Sequence, residues 1–326
     1  MTIKKWLLAS LAVLLFAGAP VAEAETGSTT NSASYVDIQG HWAEQEIMAL
    51  TAAGALKGER TFRPDEPVTR AEMIVLFLAA KGIVPTSSNT SPFSDVPLDH
   101  WFAPYAETAY RLGFVHGITS NGKRYFRPND PVERQELVSV LLRAKGDSGA
   151  VNQFLWSTAI KTLQPYPDDD QVVKENQRAL AYALSQQMVS PYQDGMLKPI
   201  QIMTRAEAAV YASRHLLVRN KAEQLPRIPE LNIPYKQVLQ VESTAYHFSN
   251  GYTLSYLGWP LRVGLVAVDP QVIPLGTHLY IEGYGYAVAA DIGGAVKQHH
   301  VDVFLPSLEA ALAYGRQKDT KVYILP

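Results

Sequence analysis

Ala290-Asp-Ile-Gly-Gly-Ala-Val-Lys-Gln-His-His-Val-Asp-Val-Phe304 sets two aspartates, Asp291 and Asp302, inside apolar, strand-like sequence. A third, Asp269, lies upstream in Ala267-Val-Asp-Pro270. A carboxylate is costly to bury without a partner, so several acids on one small β domain point to proton chemistry. Asp269 and Asp291 also fit ordinary turns, beside Pro270 and Gly293-Gly294. Asp302 is harder to place in a turn, because Val301 and Val303 take one strand face and Asp302 the other.

Around these acids the pattern is strand-like. Strands are predicted over 237–246, 263–268, 278–282, 286–290, 301–305 and 321–325. A short helix is predicted over 307–315, with Ser307 as its cap and Gly315 as its stop. Glu242 shares a strand face with Thr244, where it either lines a cleft or faces solvent. His299 and His300 point opposite ways on a strand, which favours a solvated turn over a metal site.

The stretch from about Val241 to Leu325 resembles the 3D domain, named for three aspartates. The matching motifs are Thr244-Ala-Tyr246, Ala267-Val-Asp-Pro270, Ile273-Pro-Leu-Gly-Thr277, Tyr280 to Gly285, Ala290 to Lys297 and Val301-Asp-Val-Phe304. The resemblance extends to membrane-bound lytic transglycosylase A and to stationary-phase muralytic enzymes. It implies an all-β double-psi β-barrel that cleaves peptidoglycan glycan strands. It implies Asp302, Asp291 and Asp269 as catalytic residues, and Thr244, Tyr246, Ser255, Gly293, Gly294 and Lys297 as substrate contacts. Two segments depart from the family pattern. Leu254-Ser-Tyr-Leu-Gly258 stands where the family has a Thr-rich segment, so Ser255 or Thr253 takes that role. Lys297-Gln-His-His300 stands where the family has Lys-Gly.

Upstream the pattern is helical and it repeats, and an internal repeat decides how a chain folds. The first copy runs Tyr35-Val-Asp-Ile38, His41-Trp-Ala43, Phe62-Arg-Pro64 and Pro67-Val-Thr-Arg-Ala-Glu72. The second runs Phe93-Ser-Asp-Val96, His100-Trp-Phe102, Phe126-Arg-Pro128 and Pro131-Val-Glu-Arg-Gln-Glu136. The third is degraded: Tyr166-Pro-Asp168, Leu197-Lys-Pro199 and Thr204-Arg-Ala-Glu207. Thr69 with Glu72, and Thr204 with Glu207, have the spacing of capping boxes. The apolar helices that follow cannot bury their faces alone, so the copies are expected to pack together. Asp168-Asp-Asp170 reads as a solvated cap, lacking the turn Gly and distal Glu of a calcium loop.

Residues from about Tyr35 to Leu217 resemble three S-layer homology modules. That resemblance implies an all-α helical unit docking onto secondary cell-wall polysaccharide, often pyruvylated. Arg70, Arg134 and Arg205 then offer planar forks to a carboxylate, or else form salt bridges near helix starts. Trp42 and Trp101 either pack between helices or meet sugar.

The expected organisation is a multidomain chain. A signal peptide spans 1–24, with Lys4 and Lys5 before an apolar core and Ala22-Glu-Ala24 at the cleavage site. A linker follows at 25–34, then modules at 35–83, 92–145 and 165–217, a Pro-rich stiff spacer at 218–236 and the barrel at 237–326. No later segment approaches the roughly 18 uninterrupted apolar residues of a span, so no integral membrane segment is expected after signal cleavage. A net charge of −2 gives no sign of a nucleic-acid binder. With no cysteine there is no disulfide framework, thiol catalysis or Cys-based zinc site. No metal and no cofactor is expected.

These readings converge on an exported, wall-anchored enzyme whose partner is the peptidoglycan strand. The resemblance implies cleavage between N-acetylmuramic acid and N-acetylglucosamine to 1,6-anhydro products, with Asp302 as the single acid/base. The alternatives are a non-catalytic, expansin-like wall module and an ordinary peptidoglycan glycoside hydrolase.

Overall fold

The computed structural model describes residues 35–56, 60–86, 90–218, 225–248 and 253–326. The expected signal peptide and the linker after it lie outside these residues. The span Ala33–Pro326 is one compact unit.

The first repeat contributes α1 (Glu44–Ala52) and α2 (Arg70–Ala80). The second contributes α3 (Ala103–Arg111), a hairpin of β1 (Ile118–Ser120) and β2 (Lys123–Tyr125), and α4 (Arg134–Lys145). Short helices α5 (Ser148–Gln153) and α6 (Trp156–Leu163) lead to α7 (Lys174–Ser185) and α8 (Arg205–His215) of the third. The unit expected to be all-α is therefore helical apart from that hairpin. Both capping boxes form. Thr69 Oγ1 accepts from the Glu72 amide and Glu72 accepts from the Thr69 amide, and Thr204 and Glu207 do the same.

The opening aspartate of each repeat works the same way in all three. Asp37 accepts from the amides of Phe62 and Arg63, Asp95 from Phe126 and Arg127, Asp168 from Leu197 and Lys198. Arg63, Arg127 and Lys198 all have positive φ, at 58°, 60° and 49°. Each carboxylate fork holds its turn in a region that residues with a Cβ seldom visit. Asp168 is thus buried and committed to the fold, not the solvated cap its run of acids led one to expect.

The repeats close on one another in a ring. Val68 N–H donates to Met203, Met203 N–H to Val132, and Val132 N–H back to Val68. The three arginines link the same repeats in the opposite sense. Arg70 donates to the Phe126 carbonyl and to Glu136 of the second repeat. Arg134 reaches the Ser190 carbonyl and covers the Tyr192 ring in the third. Arg205 returns to the Phe62 carbonyl and Glu72 in the first. This corrects the reading of three open forks, since Arg70 and Arg205 form the alternative salt bridges near helix starts. Arg70 and Arg134 are only 9% and 5% exposed, and Arg70 Nε and Nη1 and Arg134 Nη2 serve the neighbouring repeat, while Arg134 Nε is buried without a hydrogen-bond partner.

Beyond the repeats, β3 (Arg227–Ile228) and β4 (Ile233–Pro234) form a small hairpin whose Ile228 and Ile233 join the helical core. The Pro-rich segment is therefore packed where it is described, not a bare spacer. The barrel strands are β5 (Gln237–Tyr246), β6 (Leu265–Ala267), β7 (His278–Ile281), β8 (Gly285–Asp291), β9 (His300–Phe304) and β10 (Gln317–Ile324). They close in the order β10-β5-β9-β6-β8-β7. The pairs β5–β9 and β6–β8 are parallel and the rest antiparallel. Helix α9 (Leu308–Tyr314) is capped by Ser307, as expected.

Barrel and second repeat meet at close range. Arg111 donates to the carbonyls of Tyr286 and Tyr284, at 2.9 and 2.5 Å, and Tyr286 Oη donates to the Val84 carbonyl. Gly149 lies so near the barrel that a Cβ there would sit 2.6 Å from the Leu275 carbonyl oxygen. Among the described residues no helix is long and apolar enough to cross a membrane.

Arg70→Ala removes two hydrogen bonds and leaves Glu136 without its partner. Since one hydrogen bond to a charged group contributes roughly 1.5–3 kcal/mol, stability should fall by about 2–3 kcal/mol. Urea unfolding followed by circular dichroism reads this directly. An unchanged midpoint would mean that the tie carries no stability.

Candidate active site

The register of four strands builds the site. Thr244 of β5 stands opposite Asp302 of β9, Asp302 opposite Ala267 of β6, and Ala267 opposite Asp291 at the end of β8. The two acids thus lie on either side of one small residue. A register shift between Val266 and Ala267 brings Asp291 rather than Ala290 into the row.

Asp302 is half-buried, and its Oδ1 accepts from the Thr244 hydroxyl at 2.8 Å. Burial pushes its carboxyl above the usual carboxylate range, against the pull of the Thr244 hydrogen bond and His300; Asp291 adds a smaller upward push. Asp291 is fixed by three donors: Tyr246 Oη at 3.0 Å and the amides of Tyr256 and Ile292, both at 2.9 Å. One acid therefore favours its proton while the other is anchored as a hydrogen-bond acceptor.

Asp269 stands apart from this row. Its carboxylate accepts from the amides of Gln271 and Gln298, which hold it below the usual range. It thereby secures the loop that carries Lys297, which is exposed. Its place is loop anchoring, not contact with Asp302. Gly293 packs so tightly on Val296 that a Cβ would come within 2.7 Å of Cγ2, whereas Gly294 borders open space.

Ser255 corrects an expectation. It is 5% exposed and its hydroxyl accepts from the Trp259 amide at 3.3 Å, so it serves the turn and not an open cleft. Thr253 is exposed. Glu242 is paired with Arg316, which keeps it ionised and below its ordinary range.

His300, expected in a solvated turn, instead opens β9 and joins the site. Its Nε2 lies 2.9 Å from Thr244 Oγ1. The signal was its place two residues before Asp302, on the same strand face. Exposed Phe248, Tyr256 and Ile292 went unread. The backbone of the last two holds Asp291, and the Phe248 ring packs 4.9 Å from that of Phe304.

On the repeats, Trp42 and Trp101 are 60% and 59% exposed. Trp101 shares a groove with Leu56, Arg63, Glu72 and Arg205, so Arg205 both ties the repeats and faces open space.

Because folding raises the Asp302 pKa, the native state holds that proton more tightly than the unfolded chain. The resulting stabilisation is full at low pH and is lost as pH rises through the folded-state pKa. Asp302→Asn, which stays neutral, should melt higher than wild type at neutral pH, with the gap closing in acid. Thermal melts at several pH values check this, and a gap that widens in acid would contradict it.

Residues 264–326 match the 3D domain, and residues 34–74, 92–138 and 165–209 match the S-layer homology domain. The cell wall-binding protein YocH of Bacillus subtilis (strain 168) is 57% identical over 51 residues, 16% of this chain and 18% of that protein. The S-layer protein EA1 of Bacillus anthracis is 27% identical over 213 residues, 64% of this chain and 22% of that protein. A solved structure of the E. coli lytic transglycosylase MltA in an apo form overlaps 24% of this chain and 29% of its own, at 27% identity and a TM-score of 0.21. The chain spans less than a quarter of the length of the first curated relatives it matches. It carries three S-layer homology repeats followed by a 3D domain, and it is a secreted protein of the cell surface, associated with the wall.

Proposed function

We propose that the chain is a peptidoglycan lytic transglycosylase held at the wall by its repeats. The observation that carries this reading is the half-buried Asp302, its carboxyl raised by burial, in one cross-strand row with the anchored Asp291. The mixed parallel and antiparallel closure supports a barrel of the double-psi type.

In this reading protonated Asp302 donates to the glycosidic oxygen between N-acetylmuramic acid and N-acetylglucosamine. As the carboxylate it then takes the proton of the C6 hydroxyl, whose oxygen closes on C1 to give the 1,6-anhydro sugar. One residue serves both half-steps, so no second carboxylate is needed to activate water. Asp291 supplies negative charge for the oxocarbenium-like transition state. Phe248, Tyr256 and Ile292 give sugar rings an apolar rim beside the acids.

The repeats would hold a secondary cell-wall polysaccharide, its pyruvyl carboxylate a match for the groove shared by Arg205 and Trp101. With Arg70 and Arg134 committed to the ring, recognition falls mainly to this groove and the exposed tryptophans.

Two measurements test the reading. Asp302→Asn should fold normally and lose muropeptide release on the order of 10²–10⁴-fold. Mass spectrometry of the products identifies the reaction. Reducing-end sugars in place of anhydro ends would make the enzyme a hydrolase, and near wild-type release by the variant would move the chemistry to another residue. Separately, Trp42→Ala with Trp101→Ala should weaken co-sedimentation with purified wall by roughly tenfold or more. Undiminished sedimentation would place polymer binding elsewhere.

A further inference from the structure

Three side chains from two neighbouring strands form one line of hydrogen bonds. His300 Nδ1 lies 3.3 Å from the Ala295 carbonyl oxygen, His300 Nε2 lies 2.9 Å from Thr244 Oγ1, and that oxygen lies 2.8 Å from Asp302 Oδ1. The parallel β5–β9 register aligns them, with Thr244 opposite Asp302 and His300 two residues earlier on the same strand face.

Hydrogen-bond roles restrict what this line can be. A carbonyl oxygen only accepts, so Nδ1 carries a hydrogen. The proton on Nε2 is then the one that varies. Two arrangements satisfy every atom. In the first, Asp302 is protonated and donates to Thr244 Oγ1, whose own hydrogen goes to Nε2 of a neutral imidazole. In the second, Nε2–H donates to Oγ1, whose hydrogen goes to the Asp302 carboxylate. Both contain the same number of protons, and they differ in whether the ends are neutral or an imidazolium and a carboxylate.

We propose that Asp302, Thr244 and His300 hold one proton in common, with His300 a positioning residue that acts through the Thr244 hydroxyl to set when Asp302 is loaded. This rests on the reading of Asp302 as the acid/base. The cycle balances without a co-reactant. Asp302 gives its proton to the leaving oxygen, which keeps the electron pair of the broken C1–O bond. The Thr244 hydroxyl is already placed to donate to the new carboxylate. The C6 hydroxyl proton then passes to Asp302 as the C6 oxygen bonds C1, and the trio regains its starting proton count.

Other charged and titratable groups face the trio. Asp291 and Tyr246 lie on the far side of Asp302, Tyr314 of α9 bonds Ser243 on β5, and the Glu242–Arg316 pair lies beside His300. Asp291 favours the loaded form of Asp302, whereas the Thr244 hydrogen bond and His300 oppose it. Removing either of the latter two should therefore let Asp302 keep its proton to higher pH.

The test uses His300→Gln, Thr244→Val and Thr244→Ser in the full chain, with muropeptide release from purified peptidoglycan followed from acid to neutral pH. His300→Gln and Thr244→Val should each lower kcat, roughly 10- to 100-fold for one lost charge-assisted hydrogen bond, with little change in KM. Both should move the pH at which the rate declines upward. Thr244→Ser should restore rate and profile together, and the double variant should cost no more than the worse single. A loss of rate with no upward movement of the profile, or a failure of Thr244→Ser to restore it, would overturn the proposal. A second readout needs no turnover. Nitrogen-15 NMR should find the neutral His300 ring protonated at Nδ1. Its Nε2 chemical shift should respond to Asp302→Asn, and respond less in the Thr244→Val background. A neutral ring protonated at Nε2 would overturn the shared proton. If wild type releases no muropeptides, the transglycosylase reading falls and the NMR result still decides whether the three side chains share a proton.

Discussion

Three backbone hydrogen bonds, from Val68 to Met203, Met203 to Val132 and Val132 to Val68, close the helical repeats into a ring. All three residues are buried, so their amides have no water to fall back on. No repeat can satisfy its own member of the circuit. Each supplies one bond and needs one from a neighbour, which makes the three copies interdependent. The arginines tie the same three repeats, and Asp37 and Asp95 fix the turns that deliver the Phe62 and Phe126 carbonyls used by Arg205 and Arg70. The missing His-Trp of the third repeat is tolerated because neither residue belongs to this circuit. Its aspartate, which does shape the ring's turns, is present.

The barrel solves a different problem. Two acids must stand near each other without sharing one environment. Ala267 separates them with a small side chain, and the ends of two strands give them unlike surroundings. Asp302 is pressed toward its protonated form by burial, while Asp291 sits among backbone and phenol donors. A bulky residue at position 267 would disturb both at once.

Much of this was legible in the sequence because it is local. The capping boxes at Thr69 and Thr204 need only four consecutive residues, and the six strands followed from alternation and turn residues. What could not be read depends on partners far along the chain. Arg205 meets the Phe62 carbonyl, and no local pattern announces an acceptor in the first repeat. His300 belongs to the site only because β5 runs parallel to β9, while locally the His299-His300 pair reads as a solvated turn. Ser255 looked like a replacement for a lost threonine until the turn to Trp259 claimed its hydroxyl. The proline-rich stretch before the barrel suggested separation, yet the barrel packs on the segment just after the second repeat through contacts that only glycine permits, at Gly149 and Gly276.

That seam has a mechanical meaning. Arg111 gripping two carbonyls of one barrel edge, with glycines letting the backbones touch, leaves little room for the halves to swing. Whatever surface the repeats grasp, the barrel is presented to it from one side and at one height. A leash would let a tool sweep a wide area, whereas a bracket confines it to a fixed spot and lets the point of attachment decide where it works.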